Sequence, residues 1–148
     1  MKKSGIIITL FVSALFNGCD DCKDCNSETM TCQQVIKNAT IHSSKLMVYK
    51  GSNTVNEYTL NSMDSLIIDN KYPDRTGGSC PPFSSQADSV VVVFNSTKKV
   101  TYYNCSIKTP CDKVGNILES GSYQEKMEGK NKYRFTFLLN DEAYNKAQ

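Results

Sequence analysis

Several things are scarce in this chain. It has one histidine, His42, and that scarcity removes most nucleophilic hydrolases, because a Ser–His–Asp or Cys–His pair needs an imidazole as base. His42 sits between Ile41 and Ser43 on a strand-like segment, where a histidine commonly faces water or a polar neighbour. No G-x-S-x-G, P-loop or dinucleotide fingerprint occurs, so the usual acyl-transfer elbow and phosphate-cradling loops are absent. Net charge is also low. The formal value is +2, and Lys2 and Lys3 account for it. Beyond them the basic and acidic side chains balance, leaving no basic field for nucleic acid or an anionic surface. No apolar run approaches the ~20 residues that a membrane-crossing helix needs. There are no internal repeats, low-complexity tracts or second composition block, which predicts a single domain.

The longest apolar run, Gly5 to Phe16, is 12 residues. As a helix it would be about 18 Å long, against a bilayer core of roughly 30 Å. With Lys2 and Lys3 ahead of it, the run reads as the short core of a cleaved export signal. It ends in Leu15-Phe16-Asn17-Gly18-Cys19. Gly18 and Cys19 resemble the lipobox of bacterial lipoproteins, although Phe16 and Asn17 depart from its usual leucine-then-small pattern. The resemblance implies cleavage after residue 18, a diacylglycerol thioether on Cys19 and a further acyl chain, such as palmitate, on its new amino group. Two or more chains are needed because a single one holds only marginally. Asp20, Asp21, Lys23 and Asp24 follow. They resemble the acidic export signal behind the lipidated cysteine in surface lipoproteins of Bacteroidetes-type bacteria, which also tolerate relaxed lipoboxes. That likeness implies a bacterial cell envelope, a lipid anchor in the outer membrane and outward display.

Cysteines are abundant. Of 7, Cys19 is assigned to lipid, leaving Cys22, Cys25, Cys32, Cys80, Cys105 and Cys111. An even set in an exported chain suggests disulfides, but the sequence does not choose the pairing. Cys105 and Cys111 are close enough to seal a local loop containing Pro110, and Cys22, Cys25 and Cys32 could staple the tether to the domain. The spacing C-x2-C-x2-C-x6-C from Cys19 to Cys32 does not match an iron–sulfur run, which ends x3-C-P. Zinc would prefer separated pairs or partner histidines. No metal or cofactor is expected.

The organisation is therefore a signal segment over 1–18, an acidic cysteine-containing tether over 19–33, and a β domain over 34–148. Short β-branched and aromatic runs dominate from Val35 onward: Val35 to Ile41, Lys45 to Tyr49, Glu57 to Leu60 and Asp64 to Asp69. Asn70 to Ala87 holds Pro73, Pro81, Pro82, Gly77 and Gly78 and reads as a long loop, a candidate contact surface. Ser89 to Phe94, with four consecutive valines, predicts a central strand buried on both faces. Asn95-Ser96-Thr97 turns it into Lys98 to Asn104. Ile117-Leu118 and Ser122 to Met127 read as a strand pair or one broken strand. Lys132 to Leu139 alternates, with Tyr133, Phe135, Phe137 and Leu139 inward. Asn140 caps a short helix over Asp141 to Lys146. Tyr58, Tyr102, Tyr123 and Tyr133 read as sheet residues with packed rings. The fold class is all-β, an antiparallel β-sandwich with a short C-terminal helix, with an immunoglobulin-like arrangement or a small open barrel as alternatives. The Asp-Ser-Val-Val-Val hairpin, the Tyr-Arg-Phe-Thr-Phe strand and the capped helix resemble small lipoproteins of the same bacteria, and that likeness carries no activity with it.

Asp64, Asp69, Asp74 and Asp88 flank strands or loops, where aspartates usually act as turn residues, and carboxylate pairs for glycoside hydrolysis are decided by distance in space. Asp64-Ser65-Leu66 and Asp88-Ser89-Val90 resemble the Asp-Ser/Thr-apolar acceptor of bacterial O-glycosylation, which makes Ser65 and Ser89 candidate acceptors. Asn38, Asn95 and Asn104 begin N-x-S/T triplets. The reading these residues favour is a lipid-anchored envelope or cell-surface lipoprotein, a non-catalytic binding or structural module with the membrane and a protein or glycan as partners. The competing readings are a membrane-anchored cysteine-dependent redox or metal-binding protein, and a small carboxylate-dependent hydrolase.

Overall fold

A computed structural model of the chain describes residues 29–73, 80, 82, 83 and 86–148. Eight strands run in order: β1 (Thr29–Asn38), β2 (Ser44–Lys50), β3 (Asn53–Leu60), β4 (Ser65–Pro73), β5 (Ser89–Phe94), β6 (Lys98–Tyr103), β7 (Gln124–Gly129) and β8 (Lys132–Leu139), before the helix α1 (Asp141–Lys146). They form two sheets, β4-β1-β8-β7 and β3-β2-β5-β6. The two stay separate and face each other, so the domain is an all-β sandwich rather than a barrel.

Alternation builds the core. Along β5, Val90, Val92 and Phe94 are fully buried between the sheets, while Val91 and Val93 are half-buried on the outer face. The expectation of burial on both faces is corrected here: β5 is internal to its sheet, flanked by β2 and β6, but Val91 and Val93 keep partial exposure on the outer side. Opposite stand Ile36 of β1 and Phe137 and Leu139 of β8. The β5–β6 turn has positive φ at Asn95 (47°) and Ser96 (61°), a conformation asparagine tolerates well.

Other expectations also change. The tether assigned to 19–33 gives way at Thr29, where β1 begins. Met30 and Cys32 face inward and form a second buried cluster with Cys80 and Phe135, which is why this polar-looking stretch is a strand. Its partner on one side is β4, antiparallel, and on the other β8, parallel, with Thr31 beside Lys132 and Asn38 beside Leu139. The sandwich is therefore not antiparallel throughout. Ile117 and Leu118 are buried in a loop and no strand includes them. A single 3-10 turn, Ser120–Ser122, separates them from β7. The loop after β4 is no simple exposed surface. Phe83 is 1% exposed and Ala87 3% exposed, and both sit in the main core. The Phe83 amide donates to the Tyr123 hydroxyl (2.9 Å), which donates to the carbonyl of Ile117 (2.6 Å). Burial pushes the Tyr123 phenol well above its ordinary value. His42 lies in the β1–β2 turn, not on a strand. Buried Asn38 fixes that turn by donating to the carbonyls of His42 (2.7 Å) and Asn61 (2.9 Å).

Candidate binding cleft

At the β6/β7 side of the sandwich the two sheets do not close on each other. β7 pairs with β8 only as far as Gln124 opposite Thr136, so the last turn of β8 has no neighbour there. The opening is a cleft of about 420 Å³ between β6, the C-terminal half of β8, α1 and the loop 104–118. That volume lies within the range of small-ligand sites.

The loop is held from several directions. Cys105 and Cys111 are bonded to each other, and the Thr109–Pro110 peptide is cis. Asn104 accepts from the Ser106 amide (3.0 Å) and hydroxyl (2.6 Å). Asn116 is the hub. It is 3% exposed, and its side-chain amide donates to the carbonyls of Tyr103 (2.9 Å) and Asp112 (3.1 Å). Its Oδ1 accepts from the Leu118 amide (3.0 Å), and its own backbone N–H donates to Ser122 Oγ (3.0 Å). A buried amide with both ends engaged rigidifies a loop that lacks a ladder of its own.

Charges of both signs line the walls. Lys108 Nζ stands 3.4 Å from the Tyr103 ring centroid. On α1, Lys146 pairs with Glu142 at 2.9 Å. The hydrogen bond Lys146 donates to Glu142, the charge of that carboxylate and that of Asp112 raise the Lys146 pKa. Asn140 Oδ1 caps the helix by accepting from the Ala143 amide (3.1 Å), as the sequence predicts. Tyr102 packs its ring edge-on to Phe137, with centroids 6.1 Å apart. Burial, with the Glu142 charge adding to it, pushes its phenol up to about 12. A second cleft, of about 440 Å³, opens on the opposite side between β3, β4 and the Phe83 segment.

The sequence-predicted residues fall as follows. Cys19, Cys22, Cys25 and Asp74 lie outside the described residues. Cys32 is bonded to Cys80 across 48 residues, joining β1 to the long loop, and Cys105 is bonded to Cys111, the local closure that their spacing allows. Ser65 is exposed at the start of β4, its amide donating to Asp64 Oδ1 (2.7 Å). Ser89 is half-buried at the start of β5, and Asp88 beside it accepts from the Gly51 amide. Asp69 accepts from Gln33, which accepts in turn from Arg134, itself paired with Glu128 at 3.0 Å. This network crosses the outer face of one sheet and is remote from Asp64 and Asp88 in role. Of the N-x-S/T asparagines, Asn38 is fully buried. His42 stacks on Tyr144 with centroids 3.9 Å apart and shares a 2.8 Å hydrogen bond with Asn95. It does not line either cleft. Among the described residues, no three His, Cys, Asp or Glu side chains gather as a metal site, and no helix is long and apolar enough to cross a membrane. Sequence reasoning missed Asn116, Lys108 and Glu142, whose proximity depends on how the loop and helix fold back over β6. No family model matches the chain, and neither a curated protein nor a solved structure matches it.

Proposed function

We propose that this chain is a bacterial envelope lipoprotein, acylated on Cys19, whose sandwich is a non-catalytic binding module presented from the outer membrane. The observation that carries the binding half is the cleft beside β6. It is ligand-sized, and its loop wall is clamped by a disulfide and a buried asparagine rather than left pliable. Preorganised walls lower the ordering cost of binding. Closure of Cys32, Cys80, Cys105 and Cys111 into two disulfides supports a structural use of these thiols over a redox one. The anchoring half rests on the lipobox-like Gly18-Cys19.

Intact mass spectrometry of the protein extracted from its native membranes tests the anchor. The expected mass begins at Cys19 and carries a diacylglycerol thioether and an N-acyl chain. Changing Cys19 to Ser should abolish the lipid and hold the chain uncleaved. A native mass matching the uncut, unlipidated chain, recovered from the cytosol, sinks the anchor.

A further inference from the structure

We propose that the cleft receives a short extended polypeptide segment, which adds to the free edge of β6 at Thr101. The inference rests on the reading of the domain as a binding module and names its guest.

The hydrogen-bond phase of β6 is fixed at its end, where the Asn104 amide donates to the Asp88 carbonyl (2.9 Å). With the register that pairs Val90 with Tyr102 and Val92 with Val100, Lys98, Val100 and Tyr102 exchange bonds with β5. Lys99, Thr101 and Tyr103 turn their peptide groups away from the sheet. Two of these three outward positions are already served. Lys99 exchanges both backbone bonds with Gln148, at 2.9 Å and 3.0 Å, so the chain itself lays an extended backbone against this edge. The carbonyl of Tyr103 takes the side-chain amide of Asn116 (2.9 Å), which stands where a strand's N–H would. Between them, the N–H and C=O of Thr101 and the N–H of Tyr103 have no partner among the described residues. Thr101 lines the cleft.

The facing wall offers the same chemistry. The Ala39 amide donates to the carbonyl of Leu139 (2.8 Å), which sets the odd-numbered residues of β8 toward β1. Leu138 therefore points its peptide group toward the β7 side, beyond the last β7 pair at Thr136. It too lines the cleft. Between the charges the lining offers apolar contacts, Val100, Pro110 and Val114, the last of them 83% exposed. Unpaired peptide groups at strand spacing, with apolar contacts for alternate side chains, match an extended peptide's backbone and pleat. With Lys99 taken by Gln148, the free edge from Thr101 to Tyr103 measures about 7 Å at ~3.3 Å per residue, room to pair about two guest residues, with their neighbours running on beyond it. A glycan could use the hydroxyls and carboxylates here, but it has no need of an N–H and C=O repeated along a strand.

The test uses the full chain, labelled with 15N and held in detergent micelles. It is titrated with capped tetrapeptides alternating Val or Leu with Thr, and with the same peptides N-methylated at the central residues. The expected result is saturable shifts and slowed exchange at the Thr101 and Tyr103 amides, with the N-methylated peptides binding about fivefold more weakly. Thr101→Pro, at an edge position that tolerates proline, should weaken binding similarly with an unchanged far-UV spectrum. Should that variant not fold, the methylated peptides carry the comparison alone. Equal binding of methylated and unmethylated peptides overturns the proposal. So does the absence of saturable shifts at Thr101 and Tyr103, or saturation of these amides by an oligosaccharide panel instead. A failed titration leaves the Cys19 anchor standing, and an unlipidated native protein leaves the titration untouched.

Discussion

Asn116→Ala isolates the device that shapes the cleft. The substitution removes one acceptor, for the Leu118 amide, and two donors, for the carbonyls of Tyr103 and Asp112. These losses are unequal. Leu118 is 5% exposed, so water cannot replace the lost acceptor without opening the loop, and stranding a buried N–H costs ~1–3 kcal/mol. Asp112 and Tyr103 are exposed residues whose carbonyls can rehydrate, so together they add about 0.5–1 kcal/mol. The expected loss is about 2–3 kcal/mol. At roughly 3–5 °C per kcal/mol for a domain of this size, that is a fall in Tm of about 6–15 °C. Circular dichroism melting measures it, and hydrogen exchange localises it. Protection should fall over 104–118 while β5, deep in the core, stays slow. A fall in Tm below about 2 °C with unchanged exchange in the loop would refute the claim that Asn116 holds this wall.

The two disulfides should differ in worth. Loop-closure entropy assigns ~4 kcal/mol to a closure over 48 residues and ~2 kcal/mol to one over 6. Paired Cys→Ala substitutions followed by urea unfolding should rank Cys32–Cys80 above Cys105–Cys111, and the reverse order would contradict the assignment. Ser44 has a buried hydroxyl with no hydrogen-bond partner among the described residues, so Ser44→Ala should leave stability unchanged or raise it by up to about 1 kcal/mol; a clear loss in urea titration counts against that. Alkaline behaviour follows from Tyr102, raised from 10.0 to about 12. Its folded pKa exceeds its unfolded one, so the unfolded chain ionises first. The contribution is whole below pH ~10 and is lost as pH climbs from there toward 12, by ~2–3 kcal/mol at most. Absorbance at 295 nm should show phenols that titrate only with unfolding, and Tyr102→Phe should soften the alkaline loss of stability.

Local patterns were legible in the sequence and non-local ones were not. Phe135, Phe137 and Leu139 face the core because a period of two on one strand is visible without partners. The β5–β6 hairpin, the Asn140 cap and the Cys105–Cys111 closure are likewise contained within a few residues. Residues 29–33 misled because their β-branched threonines face outward and the inward positions are Met30 and Cys32, without a β-branched or aromatic residue; Cys32 becomes core only by meeting Cys80. Phe83 looked like a loop residue because prolines and serines surround it, yet its ring fills space between the sheets, 5.7 Å from that of Tyr58. The cleft was illegible for the same reason. Thr101 is unremarkable in sequence, and its open peptide group exists only because β6 ends its sheet and Gln148 and Asn116 meet that edge on either side of Thr101.

The parallel pairing of β1 with β8 has a directional consequence. Thr31 lies beside Lys132 and Asn38 beside Leu139, so the two strands run from one pole of the sandwich to the other together. At ~3.3 Å per residue, β1 covers about 30 Å. The chain enters at Thr29, whereas the far end of β8 and α1, one wall of the cleft, stand at the opposite pole; β6 runs back from Lys98 beside that pole to Tyr103, so the cleft extends along the flank of the sandwich. A tether running back from Thr29 to an acylated Cys19 would then hold the entry pole toward the bilayer and leave the cleft on the flank with its α1 end outermost. An antiparallel β1–β8 pair would bring α1 and its cleft down beside the tether, where the membrane would obstruct a macromolecular guest. The strand direction, which no local feature of the sequence announces, would thus keep the α1 end of the cleft clear of a membrane anchored at Cys19.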